Sequence, residues 1–254
     1  MIIGVLGEAR PAETRVSATP ATVAQLVALG YAVVVDPGAG DRSGFADPAY
    51  ADAGATLGAA TAADIVFGVN APSSEQLDAL REGTTLVCLL APALDPDRLA
   101  DLARRGITAL AMDAVPRISR AQSLDVLSSM ANIAGYRAVI EAANVFGRFF
   151  TGQVTAAGKV PPAKVLVAGV GVAGLAAIGT AGGMGAVVYA TDPRPEVADQ
   201  VSSLGGEYLA VEAADVEVSA TGYAKEMSDD YNERAAALYA ARSAPTSTSS
   251  SRPR

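Results

Sequence analysis

Short apolar runs alternate with segments of helical pattern through the first half of the chain. A helix is predicted to begin after Thr19, which suits an N-cap, with Pro20 at the first helical position and Gly30 at the end. Further helices are predicted at 74–81 and 95–105, and strands at 2–6, 31–35, 64–69, 85–90 and 107–112. Because the strands are apolar throughout, the alternation favours a parallel sheet covered by helices on both faces.

The second half continues this alternation after a long helical segment. That helix is predicted at 121–149, and a loop with glycine and proline follows at 151–163. Strands are then predicted at 165–168, 186–190 and 207–211, helices at 172–182, 196–204 and 226–241, and a polar loop at 220–223. The predicted fold class is α/β, with two parallel-sheet βαβ domains at 1–128 and 129–241. The second is predicted to be an incomplete Rossmann domain.

The composition changes near the C-terminal end of the chain. Residues 243–254 consist of serine, threonine, proline, alanine and arginine, without a large apolar side chain, so 242–254 is predicted to be a disordered tail. With the codons of a GC-rich gene, a shifted reading frame of this tail spells a strand such as Asp-Val-Asp-Ile-Ile-Ile-Thr-Thr-Ala. We therefore expect a frameshifted sequence here; an unrelated low-complexity tail is the alternative.

Composition restricts the chemistry that the chain can perform. Hydrophobic residues make up 50% of the 254 positions and the net charge is −8, so a sizeable core is expected and a nucleic-acid partner is not. The absence of histidine excludes histidine-based nucleophiles, metal ligands and acid–base catalysts. The single cysteine, Cys88, excludes an internal disulfide. Residues 165–191 carry no charge, but their glycines favour a strand, turn and helix over a membrane span.

A glycine-rich motif connects a predicted strand to a predicted helix. Gly169, Gly171 and Gly174 form G-x-G-x-x-G, with Val172 and Ala173 between them. In this context the motif indicates a dinucleotide-binding turn, in which the glycines allow a tight turn, close approach of a pyrophosphate and close helix–strand packing. The pyrophosphate would bind at the helix N-terminus. The alternative is a glycine-rich turn without a ligand.

The strand after this motif ends at an acidic residue. Asp192 lies 21 residues after Gly171, where a carboxylate hydrogen-bonds the ribose 2′-OH and repels a 2′-phosphate. The pattern therefore favours NAD(H) over NADP(H) as the cofactor. Arg194 has two interpretations: it contributes to the cofactor site by accepting a phosphate, or it is a solvated residue at the entry of the next helix, which is the favoured reading.

Several blocks of the sequence resemble one protein family. Arg-Ile-Ser-Arg-Ala-Gln-Ser-Leu-Asp-Val-Leu-Ser-Ser at 117–129, Asn-Ile-Ala-Gly-Tyr-Arg-Ala at 132–138 and the run at 149–163 carry the likeness. They are similar to the NAD(H)-binding domain of the alpha subunit of proton-translocating NAD(P) transhydrogenases. The likeness returns at 222–227, the family's mobile loop, and covers residues 1–241.

This resemblance implies a site, a reaction and partners. Arg117, Gln122 and Asp125 would lie at the nicotinamide end of the cofactor, with Ser128 beside them, and Tyr223 would cover the bound nucleotide. The implied reaction passes hydride from NADH to NADP⁺ on a partner subunit, coupled to proton translocation, without a metal ion. The implied partners are a second copy of the chain in a homodimer, membrane-spanning transhydrogenase subunits and the NADP(H)-binding beta subunit. The implied location is cytoplasmic, peripheral to the inner (plasma) membrane.

Two other interpretations stay open. An alanine dehydrogenase-like enzyme shares the architecture and an arginine such as Arg15, but that family uses a catalytic histidine and a substrate-binding lysine. Here the turn that carries the lysine reads Val-Asn-Ala-Pro at 69–72. The other alternative is a truncated, non-catalytic fragment of the transhydrogenase subunit, since the family's module is expected to continue after the last predicted helix.

Overall fold

The structure is a computed structural model that describes residues 1–116, 118–211 and 227–243. The chain divides into two compact units, Met1–Val126 and Leu127–Arg254. The predicted loop at 220–223 and residues 244–254 of the predicted tail lie outside the described residues. The first two residues of that tail, Arg242 and Ser243, belong to the last helix, so the prediction of disorder is wrong for them.

The first unit is built on a parallel six-stranded sheet. Its strands lie in the order β3-β2-β1-β4-β5-β6, with the bounds β1 (Ile2–Val5), β2 (Ala32–Val35), β3 (Thr56–Leu57), β4 (Ile65–Asn70), β5 (Thr85–Leu89) and β6 (Thr108–Ala111). Gly4 on β1 pairs with Val34 on one side and with Val66 on the other. The strand order reverses beside β1, as in doubly wound α/β proteins. The predicted fold class is therefore confirmed for this unit.

Four helices connect these strands: α1 (Pro20–Ala28), α2 (Asp47–Asp52), α3 (Ser74–Ala79) and α4 (Pro96–Arg104). The predicted start of α1 is correct, because the Thr19 hydroxyl accepts a hydrogen bond from the Thr22 N–H at 3.3 Å. Gly30 follows the helix with φ +91°, a conformation that favours glycine. Helix α2 and strand β3 are not among the predicted elements.

Two clusters of buried apolar side chains form the core of the first unit. Val5 belongs to one cluster and the next residue, Leu6, belongs to the other. Successive side chains of a strand point to opposite faces, so the two clusters lie on opposite faces of the sheet. Other members of the first cluster are Val23, Val33, Val35 and Tyr50, and of the second Val66, Leu86, Leu90 and Leu102. The apolar strands predicted from the sequence therefore separate two hydrophobic layers.

Tyr50 provides a test of this packing. Its side chain is fully buried, and its hydroxyl donates a hydrogen bond to the Ala18 carbonyl at 2.9 Å. We expect Tyr50→Phe to lower the free energy of unfolding by about 1–3 kcal/mol, because a buried carbonyl loses its partner. Denaturant titration would measure the change. The exposed Tyr136 supplies the control, since Tyr136→Phe should have little effect; equal stabilities for the two variants would contradict this account.

The second unit contains a smaller parallel sheet. It comprises β9 (Lys164–Ala168), β10 (Val187–Thr191) and β11 (Glu207–Tyr208), in the order β11-β10-β9, preceded by an antiparallel hairpin of β7 (Gln153–Thr155) and β8 (Gly158–Val160). The helices are α5 (Val126–Val145), α6 (Val172–Gly183), α7 (Ala198–Ser203) and α8 (Asp229–Ser243). The βαβ arrangement agrees with the predicted Rossmann-type fold.

The segments before and after α5 differ from the prediction. The helix predicted at 121–149 is instead a 3₁₀ segment, Ser119–Leu124, followed by α5, which ends at Val145 because Gly147 has φ +70°. The segment 151–163, predicted as a loop, contains the β7–β8 hairpin. A tight hairpin of three-residue strands shows no alternation long enough to detect in the sequence.

The core of the second unit forms around β10 and α6. Val188 and Ala190 of β10 are buried, whereas Val165, Leu166 and Val167 of β9 are only half-buried. Within the described ranges β9 pairs with β10 alone, so β10 is the interior strand of this sheet. No helix in the described part of the chain is long and apolar enough to cross a membrane.

Candidate functional site

The glycine-rich motif forms the turn between β9 and α6. Gly169 has φ +93°, which favours glycine, and its N–H donates a hydrogen bond to the Thr191 carbonyl at 2.8 Å, at the end of β10. Gly171 is the N-cap of α6, and no side chain caps this helix end. The first amides of α6 therefore lack a side-chain cap, and such a helix terminus favours an anion.

Gly174 and Gly171 differ in what an added side chain would meet. A Cβ added to Gly174 would lie 1.9 Å from the Gly169 carbonyl oxygen, so only glycine lets this helix turn pack on the loop before it. A Cβ added to Gly171 would meet nothing within 4 Å. Packing within the protein therefore explains Gly174, whereas Gly171 leaves its backbone open to an incoming group.

A fourth glycine, which the sequence does not single out, also lies against this turn. Gly135 is buried in α5, and a Cβ added there would lie 2.0 Å from the Ala173 carbonyl oxygen, in the first turn of α6. The two helices therefore meet backbone to backbone at Gly135. Val172, the first residue of α6, is 42% exposed.

Asp192 lies directly beside the glycine turn. Its side chain is buried, and its Oδ2 accepts a hydrogen bond from the Val170 N–H at 2.7 Å. The backbone N–H of Arg194 donates to Oδ1 at 2.9 Å. Burial acts to raise the pKa of this carboxyl, but the hydrogen bonds from Arg194 and Val170 outweigh it and hold the pKa below its ordinary value. The carboxylate is therefore ionised at neutral pH and fixed against the turn.

The side chain of Arg194 forms a bidentate ion pair with the same carboxylate. Its Nε donates to Oδ1 of Asp192 at 2.8 Å and its Nη2 to Oδ2 at 3.0 Å. The hydrogen bond to Asp192 raises the pKa of Arg194. Since the Arg194 side chain is only 20% exposed, the interpretation of a solvated residue is wrong, although Arg194 does precede the 3₁₀ helix Pro195–Val197. A spacing of two residues between an aspartate and an arginine does not by itself predict an ion pair, so the sequence gives no sign of this contact.

Tyr208 is a further residue of this region that the sequence does not identify. Its hydroxyl donates a hydrogen bond to the backbone carbonyl of Asp192 at 2.7 Å from β11, the neighbouring strand. Burial, followed by the negative charge of Asp192, raises the pKa of Tyr208. Tyr208 thus supports the position of Asp192 without using the acceptors of its carboxylate.

The residues implied at the nicotinamide end are distributed along one segment. Gln122 and Asp125 line a pocket of about 230 Å³ in the first unit, and the Asp125 N–H donates to the Gln122 carbonyl at 3.2 Å. Ser128 lies in the first turn of α5. The structure therefore brings Gln122 and Asp125 together, while Arg117 and Tyr223 lie outside the described residues.

A separate polar network lies at the carboxyl ends of β1 and β4, where the strand order of the first sheet reverses. The Asn70 amide donates to Glu8 at 2.9 Å and to Glu13 at 2.8 Å. Arg15 donates to both carboxylate oxygens of Glu13, at 2.8 and 2.6 Å. The hydrogen bond from Arg15 lowers the pKa of Glu13 to about 2. The two positions that the alanine dehydrogenase interpretation concerns, Arg15 and Asn70, are thus both hydrogen-bonded to Glu13.

The strand, glycine turn and helix of the second unit define the chain as an α/β protein of the Rossmann class. Comparison with known proteins then gives its family. Residues 4–134 match the family "Alanine dehydrogenase/PNT, N-terminal domain", and residues 138–243 match "Alanine dehydrogenase/PNT, C-terminal domain". The chain belongs to the alanine dehydrogenase/PNT family.

Individual relatives come from both branches of this family. The chain is 54% identical over 243 residues to the NAD(P) transhydrogenase subunit alpha of Haemophilus influenzae, covering 94% of this chain and 48% of that protein. It is 33% identical to the alanine dehydrogenase of Bacillus subtilis, over 82% of this chain and 56% of that protein. A solved transhydrogenase from Sinorhizobium meliloti has a TM-score of 0.80 at 44% identity, over 83% of this chain and 64% of that one. The chain thus spans about half the length of the curated relatives it matches.

Proposed function

We propose that the chain is the NAD(H)-binding component of a proton-translocating transhydrogenase. The observation that carries this proposal is the carboxylate of Asp192 fixed against the glycine turn by the Val170 N–H at 2.7 Å. In this role the first amides of α6 bind the pyrophosphate, and Asp192 binds the ribose 2′-OH. The open backbone at Gly171 supports the same assignment, since no atom of the described residues beyond its immediate chain neighbours lies within 4 Å of a Cβ built there.

The cofactor pair supplies the chemistry, in which hydride passes from NADH to NADP⁺ and leaves NAD⁺ and NADPH. On the resemblance to the family, Gln122, Arg117 and Asp125 orient the nicotinamide, with Ser128 beside them and Tyr223 over the nucleotide. No proton is moved at the hydride, so the chain's lack of histidine does not conflict with the reaction. The protein's contribution is alignment of donor and acceptor and exclusion of water.

An alanine dehydrogenase-like activity has less support. That activity requires a histidine, which the chain lacks, and a lysine where Asn70 stands. The Asn70 amide is also engaged with Glu8 and Glu13, and Arg15 is paired with Glu13, so this group of two carboxylates and one guanidinium carries a net negative charge. A keto acid, which is an anion, would meet unfavourable charge there.

The assembly is part of the proposal. Relatives bear the name "subunit alpha", which supports association with other subunits. We propose that the chain forms a homodimer and works with membrane-spanning subunits and an NADP(H)-binding beta subunit. Its place would be the cytoplasmic side, peripheral to the inner membrane.

Nucleotide titration tests the binding part of this proposal. Reduced nicotinamide fluorescence should report NADH binding that is about tenfold or more tighter than NADPH binding, because a carboxylate at the ribose repels a 2′-phosphate. Equal affinities, or no NADH binding, would exclude the assignment of the turn and of Asp192.

Hydride transfer tests the reaction. With NADH deuterated at the transferred position, an NADP(H)-binding partner and NADP⁺, the label should appear in NADPH rather than in water. We expect Gln122→Ala to slow this transfer by roughly a hundredfold, since misalignment of the reacting groups costs rate, with NADH affinity unchanged. Gln200→Ala, an exposed change on α7, is the control. Label lost to solvent, or full activity of Gln122→Ala, would contradict the proposed mechanism.

A further inference from the structure

The ion pair at the end of β10 occupies the side of the carboxylate that a ribose needs. Oδ1 of Asp192 accepts hydrogen bonds from the N–H and the Nε of Arg194, and Oδ2 accepts from the Val170 N–H and from Nη2 of Arg194. Each oxygen thus already accepts two hydrogen bonds. A carboxylate offers about four lone-pair positions in all.

The guanidinium of Arg194 binds as a fork, with one nitrogen on each carboxylate oxygen. This planar, two-point geometry is the arrangement that a vicinal diol would also adopt on a carboxylate, with one hydroxyl donating to each oxygen. The other two donors, the Val170 N–H in the turn and the N–H of Arg194, are backbone groups, which cannot swing away from the carboxylate as a side chain can. The bonds that a ribose can replace are therefore those of the Arg194 side chain.

A displaced guanidinium would stay beside the ribose. Arg194 follows Asp192 by two residues, and its Nη2 also contacts the Val170 carbonyl at 3.3 Å, so its side chain touches both the carboxylate and the turn. Released from Asp192, this cation would be within reach of a substituent on the ribose 2′-oxygen. A phosphate is the substituent that an arginine fork binds best.

We propose that Arg194 sets nucleotide selectivity at this site, by competing with a ribose diol for Asp192 and by receiving a ribose 2′-phosphate when the pair opens. This inference rests on the proposed function, because it takes the Asp192 turn as the adenosine-ribose site. The selectivity then belongs to the pair: Asp192 favours the free diol, and Arg194 reduces that preference.

A purely supporting role for Arg194 makes a different prediction. If the fork only holds Asp192 in place, its loss should weaken every adenosine ligand alike. Competition predicts opposite changes for ligands with and without a 2′-phosphate. Competition and simple support of Asp192 are therefore distinguished by whether the affinities for the two kinds of ligand change in opposite directions or in the same direction.

The experiment measures ADP, which carries the free diol, and adenosine 2′,5′-bisphosphate by calorimetry on the full chain. In Arg194→Gln, ADP affinity should rise roughly threefold or more, because the guanidinium that competes with the diol is removed. Bisphosphate affinity should fall by a similar factor, because the charged hydrogen bonds to the 2′-phosphate are lost. Arg194→Lys keeps the charge without the fork, so it should tighten ADP and retain the bisphosphate. Arg98→Gln is the control, because Arg98 is also paired with a carboxylate, Asp95 at 2.7 Å, but belongs to the first unit, where it contacts the Leu90 carbonyl.

Each outcome decides the inference. Weaker ADP binding in both Arg194 variants, or changes in the same direction for both ligands, would overturn it, with melting temperatures showing that the variants are folded. If Arg194→Gln does not fold, Arg194→Lys alone decides by whether ADP tightens. Failure of the unmodified chain to bind ADP would overturn both this inference and the proposed nucleotide site. Failure of hydride transfer with the two ligand effects intact would overturn only the proposed reaction.

Discussion

Replacing Gly135 with alanine is expected to destabilise the second unit and to disrupt its glycine turn. The added Cβ would lie 2.0 Å from the Ala173 carbonyl oxygen and 2.7 Å from its carbonyl carbon, and both are backbone atoms that cannot rotate away. Either α5 or the first turn of α6 must move. We expect the free energy of unfolding to fall by about 1–3 kcal/mol, the usual cost of overpacking. NADH binding should weaken as well, because the displaced amides are the proposed phosphate donors.

The sign of this effect makes the test specific. Glycine-to-alanine changes inside helices normally stabilise by about 0.5–1 kcal/mol. Gly179 offers the matched control on α6, because it is exposed and a Cβ there meets nothing within 4 Å. Gly179→Ala should therefore raise the thermal midpoint, whereas Gly135→Ala should lower it. If both variants gain stability and bind NADH normally, the backbone contact between α5 and α6 does not support the turn.

The sheet strands and the glycine turn could be predicted because their signals are local. An apolar run of four to six residues between turn signals identifies a strand by itself, and G-x-G-x-x-G identifies a turn by its spacing. The structure accordingly places β9, Gly169, α6 and β10 in the predicted order. The prediction needed no knowledge of which strands are neighbours.

The contacts that give the turn its shape could not be predicted in this way. Gly135 lies inside a helical pattern, where a glycine indicates only reduced helix propensity. A glycine is needed there because of the close backbone of Ala173, a residue 38 positions later. Arg194 follows Asp192 and Pro193 at the start of a helix, a position that is usually solvated. Its burial depends on how β10 and the glycine turn meet. Both features are tertiary, so periodicity carries no information about them.

The helix predicted at 121–149 shows a different limit. Apolar residues continue past Val145 into Phe146, Phe149 and Phe150, so the hydrophobic pattern does not end with the helix. The backbone ends it, because Gly147 adopts φ +70°. Phe150 then becomes a core residue of the second unit, at 8% exposure. A hydrophobic pattern thus locates buried positions more reliably than it locates helix ends.

Replacing Asp192 with asparagine is expected to remove most of the NADH affinity. A hydrogen bond to a charged group contributes about 1.5–3 kcal/mol, so the loss of the carboxylate should weaken NADH binding by about tenfold to a hundredfold. The change keeps the shape of the side chain but removes the charge from the site. It also leaves the Arg194 fork facing an amide, which cannot accept hydrogen bonds at both of its terminal atoms. NADPH affinity should not fall, because the repulsion of a 2′-phosphate is lost at the same time.

The control must separate lost binding from lost stability. Asp192 is 6% exposed, so its replacement is expected to lower the melting temperature by leaving the Val170 N–H and Arg194 poorly paired. NADH titrations should therefore be made well below the melting temperature of the variant. Asp199→Asn, an exposed change in the first turn of α7, should leave both affinity and stability nearly unchanged. If folded Asp192→Asn binds NADH as tightly as the unmodified chain, the ribose does not bind at this carboxylate, and the nucleotide site must lie elsewhere.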